Sequence, residues 1–196
     1  MNKYDILPDA PIAAKNIVSA EFKKIGIHGF VDACRYVHQL PYGYNSDRDD
    51  ILVLFKEGKG SCTTKHAVIA TLAKELDLPV FKEVGIYAMT EKIVTGTSEI
   101  LAEFNLPYIP MVHCYLIYEN YRLDLTEGND NGKNRALDKF LYTKRTIPNI
   151  SAKDEYMLYR QALKSHVLTD EKMVGVEIKH ILQAREKGIV LLKSKV

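Results

Sequence analysis

The chain has 196 residues, 46% of them hydrophobic, with 27 Lys and Arg against 25 Asp and Glu and a net charge of +2. This fits one domain, residues 1–196, with a full core, and so even a charge gives no case for a nucleic-acid partner or an anionic membrane surface. Three cysteines, an odd number, do not make a disulfide framework and agree with a reducing compartment.

The N-terminal stretch MNKYDILPDAPIAAKN carries acidic residues and two prolines where a secretory leader needs a basic start and an unbroken apolar run. No later run is long enough to span a bilayer, so the expected location is cytoplasmic. Residues 12–25 place apolar side chains at helical spacing, with Gly26 as a stop, and residues 29–40 repeat the pattern up to Pro41. PYGYNSDRDD then reads as a loop, with Ser46 or Asp47 placed to cap a short helix that ends at Gly58.

Residues 62–77 form the clearest helix. At about 100° per residue, Ile69, Ala73 and Leu76 share a face with Cys62, while Thr64, Thr71, Lys74 and Glu75 fall on the far side. After Pro79, VFKEVGIYAM reads as a strand, and a helical piece is expected around Ser98–Phe104. Residues 112–126 form a hairpin turning at Glu119 and Asn120, which pairs Tyr118 with Tyr121, Leu116 with Leu123 and Cys114 with Leu125. That register makes Val112, Cys114, Leu116, Tyr118, Tyr121, Leu123 and Leu125 one apolar face. His113 and Asp124 share the other, diagonal to each other at about 7 to 8 Å between Cα atoms. An edge strand around Phe140–Thr146 follows, then helices over about 152–166 and 170–187, the second capped by Thr169 or Asp170 and stopped by Gly188.

Cys62, His113 and Asp124 carry the chemistry. A thiol at a helix start meets unpaired N–H groups and the positive end of the helix dipole, which favour the nucleophilic thiolate. Such a thiolate needs an imidazole partner, and the imidazole needs a third group to hold its tautomer. His66, one turn after Cys62, is read as packing beside the site; a zinc site of Cys62, His66, His113 and Cys114 is disfavoured because the hairpin sends Cys114 to the face opposite His113. Asn45 first, then Tyr44, are candidate oxyanion donors from the upstream loop, and Arg48 is a candidate for binding a substrate carboxylate.

The run Gly60-x-Cys62, the apolar helix ending in LDLP, a strand, then His113 opening a strand and Asp124 with Thr126 in DLT, resembles the transglutaminase-like superfamily of the papain-type cysteine fold, as found in bacterial transglutaminase-like proteins. The resemblance spans about residues 28–126. It implies an α+β fold in which the nucleophile helix packs on an antiparallel sheet, with extra helices at both termini. It also implies Cys62 as nucleophile, His113 as base and acid, and Asp124 as orienting group. Cys114 and Tyr115 stand where that family has Ala and Trp, and the chain has no tryptophan, which points away from protein cross-linking in the style of transglutaminases proper.

The expected activity is therefore acyl chemistry through a Cys62 acyl-enzyme on an amide, thioester or ester, with a peptide or small-molecule acyl substrate and no cofactor or metal. Hydrolysis is favoured because no feature of the chain marks an acceptor. Acyl transfer to a small amine, as in arylamine acyltransferases, is the second reading. A non-catalytic binding module keeping the three residues as a relic is the third.

Overall fold

The computed structural model describes residues 3–196. Its α+β fold has seven α-helices and a four-stranded antiparallel sheet among the described residues. The helices are α1 (Ile17–Lys24), α2 (Phe30–Gln39), α3 (Val53–Glu57), α4 (Cys62–Glu75), α5 (Thr97–Phe104), α6 (Ala152–Ala162) and α7 (Ile178–Lys193). The strands β1 (Val80–Met89), β2 (Ile109–Tyr118), β3 (Tyr121–Leu123) and β4 (Tyr142–Arg145) lie in the order β3-β2-β1-β4. No helix among the described residues is long and apolar enough to cross a membrane.

The chain divides into two compact units. The first comprises Met1–Glu83, Cys114–Asn129 and Arg145–Ser151; the second comprises Val84–His113, Asp130–Lys144 and Ala152–Val196. Each has its own apolar core. In the first, Phe22, Phe30, Val37 and Leu54 pack with Val68, Ile69, Leu72 and Ala73 of α4 and with Leu116, Leu123 and Leu125. In the second, Ile86, Met89, Ile109 and Met111 pack with Tyr159, Leu163, Ile181 and Ala184.

The hairpin folds in the expected register, Leu116 opposite Leu123, Ile117 opposite Arg122 and Tyr118 opposite Tyr121. Glu119 turns the chain with a φ of 51°. Leu116, Leu123 and Leu125 are buried against α4, so the apolar face of the hairpin is core. Tyr121 pairs with Tyr118 as expected but is half exposed at the tip, where the sheet edge ends.

Several element ends differ from the sequence reading, each for a local reason. α1 begins at Ile17 rather than near residue 12, because residues 10–12 run extended: the Ile12 N–H donates to the His28 carbonyl (2.8 Å) and the Phe30 N–H to the Ala10 carbonyl (3.0 Å). Neither Ser46 nor Asp47 caps α3. Ser46 gives both its N–H and its hydroxyl to the Glu57 carboxylate, while Asp47 accepts from the Asp49 N–H in its own turn. Asp170 caps only a short 3-10 turn (Glu171–Met173), accepting from the Lys172 N–H, and α7 starts afresh at Ile178. Gly188 lies inside α7 and does not stop it; a Cβ there would come within 2.8 Å of Met89 Cε, so the glycine lets the helix approach β1.

The first turn of α1 is capped from a distance. The Val18 and Ser19 N–H groups donate to the two oxygens of Glu75, at 3.0 and 2.7 Å, joining the start of α1 to the last residue of α4. A carboxylate there satisfies two donors that the helix leaves open and complements its dipole. Glu75→Ala should therefore lower stability by about 1 to 2 kcal/mol, read as a lower urea midpoint at unchanged slope; an unchanged midpoint would contradict this capping role.

Candidate functional site

Cys62 is the first residue of α4, and the segment before it is held without room for side chains. A Cβ on Gly60 would meet Thr64 Oγ1 at 2.9 Å and Leu54 Cδ1 at 3.0 Å, which accounts for the glycine two residues before the cysteine. The Gly60 N–H donates to the Pro41 carbonyl and the Gly43 N–H to the Gly60 carbonyl, at 3.1 and 3.2 Å. The Ser61 N–H donates to Thr64 Oγ1 (3.0 Å), half of a capping box at the helix start.

Thr64 is buried, not on an exposed face as the helical wheel suggested, because the upstream loop covers it: its hydroxyl donates to Asn45 Oδ1 at 2.7 Å. The same Asn45 gives its amide hydrogens to Glu57 Oε2 (2.9 Å) and to the Lys59 carbonyl (3.0 Å). Asn45 thus staples the loop to the ends of α3 and α4, and its donors are committed there rather than turned to an oxyanion. Tyr44, from the same loop, lies within electrostatic reach of Cys62. Burial pushes its hydroxyl up to about 12, the charge of a Cys62 thiolate adds to the rise, and a hydrogen bond with Tyr42 opposes it. Arg48 Nη2 donates to the Ile150 carbonyl (3.5 Å), and Nε lies 3.9 Å from Asp49, so in this structure it pins residues 145–151 of its own unit.

Of the three free cysteines, Cys34 and Cys114 have no exposed surface, while Cys62 keeps 9%. Cys34 is held far above an ordinary thiol, chiefly by burial, with Asp9 adding to the effect. Cys114 meets Thr63 Oγ1 at 3.7 Å, inside the core beside α4.

Asp124 ends the hairpin in the same unit. Its Oδ1 accepts from the Thr126 N–H (2.8 Å) and hydroxyl (2.7 Å), an Asx turn that fixes the carboxylate. It also lies 3.6 Å from Nε2 of His66. The fully buried His66 bonds through Nδ1 to the Cys62 carbonyl (2.6 Å) and accepts at Nε2 from the Leu125 N–H (2.8 Å). Both ring nitrogens are thus engaged with backbone.

His113 belongs to the second unit, where its buried ring is flanked by two aromatic rings. Tyr87 meets it edge-on at 6.4 Å, and Phe140 lies nearly parallel at 6.5 Å. Phe140 is seated there because β1 has no side chain at Gly85, where a Cβ would come within 2.3 Å of the Phe140 ring. Among the described residues, no group of three or more His, Cys, Asp or Glu is disposed to hold a metal ion. Compared with family models, curated proteins and solved structures, the chain matches none.

Sequence reasoning passed over one charged residue of this helix. Lys65 is fully buried, and its ammonium donates to the carbonyls of His38 (3.2 Å) and Leu40 (2.6 Å) and to Asn129 Oδ1. Its spacing was the available signal, since Lys65, Ile69, Leu72 and Leu76 follow the 4-3-4 rhythm of a buried stripe. Burial pushes this lysine down to about 8, partly offset by the charge of Asp124. Lys65→Met should cost about 1 to 3 kcal/mol, because it removes the donor shared by three part-buried acceptors, of which the His38 carbonyl keeps a bond from Asn129. Between pH 8 and about 10.4 the unfolded lysine keeps a proton that the native one releases, so this residue makes the wild type more stable as pH rises through that window. Urea titrations across that range should find the rise in the wild type and not in the variant; parallel profiles would contradict it.

Proposed function

We propose that the chain carries out thiol-dependent acyl chemistry, most simply hydrolysis of an amide, thioester or ester, on a transglutaminase-like version of the papain-type fold. Cys62 is the nucleophile, His113 the general base and acid, and Asp124 the group that orients the imidazole. The observation that carries this reading is the environment of Cys62: the least deeply buried of the three cysteines, at the first turn of a 14-residue helix, within electrostatic reach of the Tyr44 hydroxyl. A helix start stabilises negative charge on sulfur, and the two deeply buried thiols lack that setting.

In the proposed reaction, His113 takes the Cys62 proton as sulfur attacks the carbonyl carbon. The oxygen gains negative charge and is met by the Cys62 N–H and the Tyr44 hydroxyl. Collapse breaks the bond to the leaving group, which receives the proton from His113 and departs, leaving an acyl-cysteine. Water, deprotonated by His113, then attacks the acyl carbon; the carboxylic acid leaves, and the proton returns to sulfur. The Asx turn that fixes Asp124 and the two aromatic rings beside His113 support the roles given to them, since each restricts its side chain to few orientations. Three free thiols agree with the cytoplasmic location proposed for this activity.

Iodoacetamide at mildly acidic pH should label Cys62 much faster than Cys34 or Cys114, and His113→Ala should slow that labelling. Equal labelling of all three, or a rate indifferent to His113, would favour a non-catalytic module. In turnover of an acyl ester, Asp124→Asn should lower kcat by about 10² to 10⁴ through the wrong tautomer. Tyr44→Phe should lower it by about 10 to 10² if its hydroxyl meets the oxyanion; wild-type kcat in Tyr44→Phe would remove the tyrosine from the mechanism.

A further inference from the structure

Resting on the reading of Cys62 as nucleophile and Asp124 as orienting acid, we propose that His66 is a positioning residue whose neutral ring sets the spacing between them. The imidazole spans two backbone groups: the carbonyl of Cys62 at one nitrogen (2.6 Å) and the N–H of Leu125, the residue after Asp124, at the other (2.8 Å). A backbone N–H can only donate, so Nε2 is the unprotonated nitrogen and Nδ1 carries the hydrogen given to Cys62. Five ring atoms, rigid and wholly buried, therefore join the nucleophile's residue to the end of the hairpin.

The preceding residue on the helix reinforces the link. Lys65 holds Asn129, so the segment 124–129 is tied to α4 at two successive positions, once through each side chain. Asn129 in turn donates to the His38 carbonyl (2.9 Å), and the His38 ring bonds to the Glu127 carbonyl (2.6 Å). Asp124 is locked to Thr126 in its own turn, so whatever moves Leu125 moves the carboxylate with it. A purely apolar residue at 66 would fill the space but leave the Leu125 N–H without this acceptor.

A four-way cycle of wild type, His66→Ala, Asp124→Asn and the double variant, read as kcat and KM for p-nitrophenyl acetate hydrolysis by the full chain, tests the proposal. His66→Ala should lower kcat about 10- to 10²-fold with KM little changed, yet cost less than about threefold in the Asp124→Asn background, since both changes remove the same orientation. His66→Gln, whose amide oxygen falls where Nε2 lies, should recover most of the loss and keeps the test open if the alanine variant is unfolded. Losses that multiply across the cycle, or a glutamine variant as poor as alanine, would reduce His66 to packing. A ¹⁵N imidazole spectrum of the wild type should show the tautomer protonated at Nδ1; the opposite tautomer would overturn the link. Failure of the acyl reading itself looks different: Cys62→Ser would then hydrolyse the ester as fast as wild type.

Discussion

Helix α4 carries polar side chains into the first unit at five successive positions, Cys62 to His66, all of them buried. Burying a polar group is tolerable only when it finds a partner, and burying an ammonium only when its donors are satisfied. These side chains are met by four other parts of the chain. Tyr44 and Asn45 come from the loop before α3, the His38 and Leu40 carbonyls from the end of α2, Cys114 from β2, and residues 124–129 from the end of the hairpin. The start of one helix thereby dictates where four segments of this unit lie. A second buried lysine follows the same logic: Lys82 on β1 donates to the Thr63 carbonyl (3.4 Å) and the Pro148 carbonyl (3.1 Å).

That polar interior constrains direction as well as distance. Hydrophobic packing resists compression but does not fix direction, whereas hydrogen bonds to backbone fix both distance and angle. Gly60, two residues before the proposed nucleophile, gives the chain its close approach to Thr64 and Leu54. In the second unit Gly85 leaves a hollow on β1, Phe140 fills it, and the Phe140 ring lies nearly parallel to that of His113.

Where local rules dominate, the sequence was readable. β1 lies over the ten residues VFKEVGIYAM, and the hairpin pairs in the register set by its two-residue turn, because alternation and turn length leave a single solution that buries the leucines. α2 ends before Pro41, as a helix must. Long-range partners could not be read this way. Glu75 caps a helix more than fifty residues earlier in the chain, and Ser46 turns to Glu57 instead of capping α3, since a carboxylate brought near by folding outcompetes local capping. Gly188 looked like a stop but is a contact, because nothing local distinguishes a glycine needed for conformation from one needed for room. At the candidate site, residue types and spacing pointed to Cys62, His113 and Asp124, whereas the commitment of Asn45 and Arg48 to neighbouring loops depended on which segments fold over them.

The proposed chemistry passes through a covalent acyl intermediate on Cys62. Mixing the protein with p-nitrophenyl acetate, quenching in acid within the first turnovers and mapping the digested peptides by mass spectrometry tests it directly. One acetyl group should appear on the peptide bearing Cys62, be lost on longer incubation and be absent from Cys62→Ser. Acetylation confined to lysine side chains, or an unmodified Cys62 while the ester is being consumed, would contradict it.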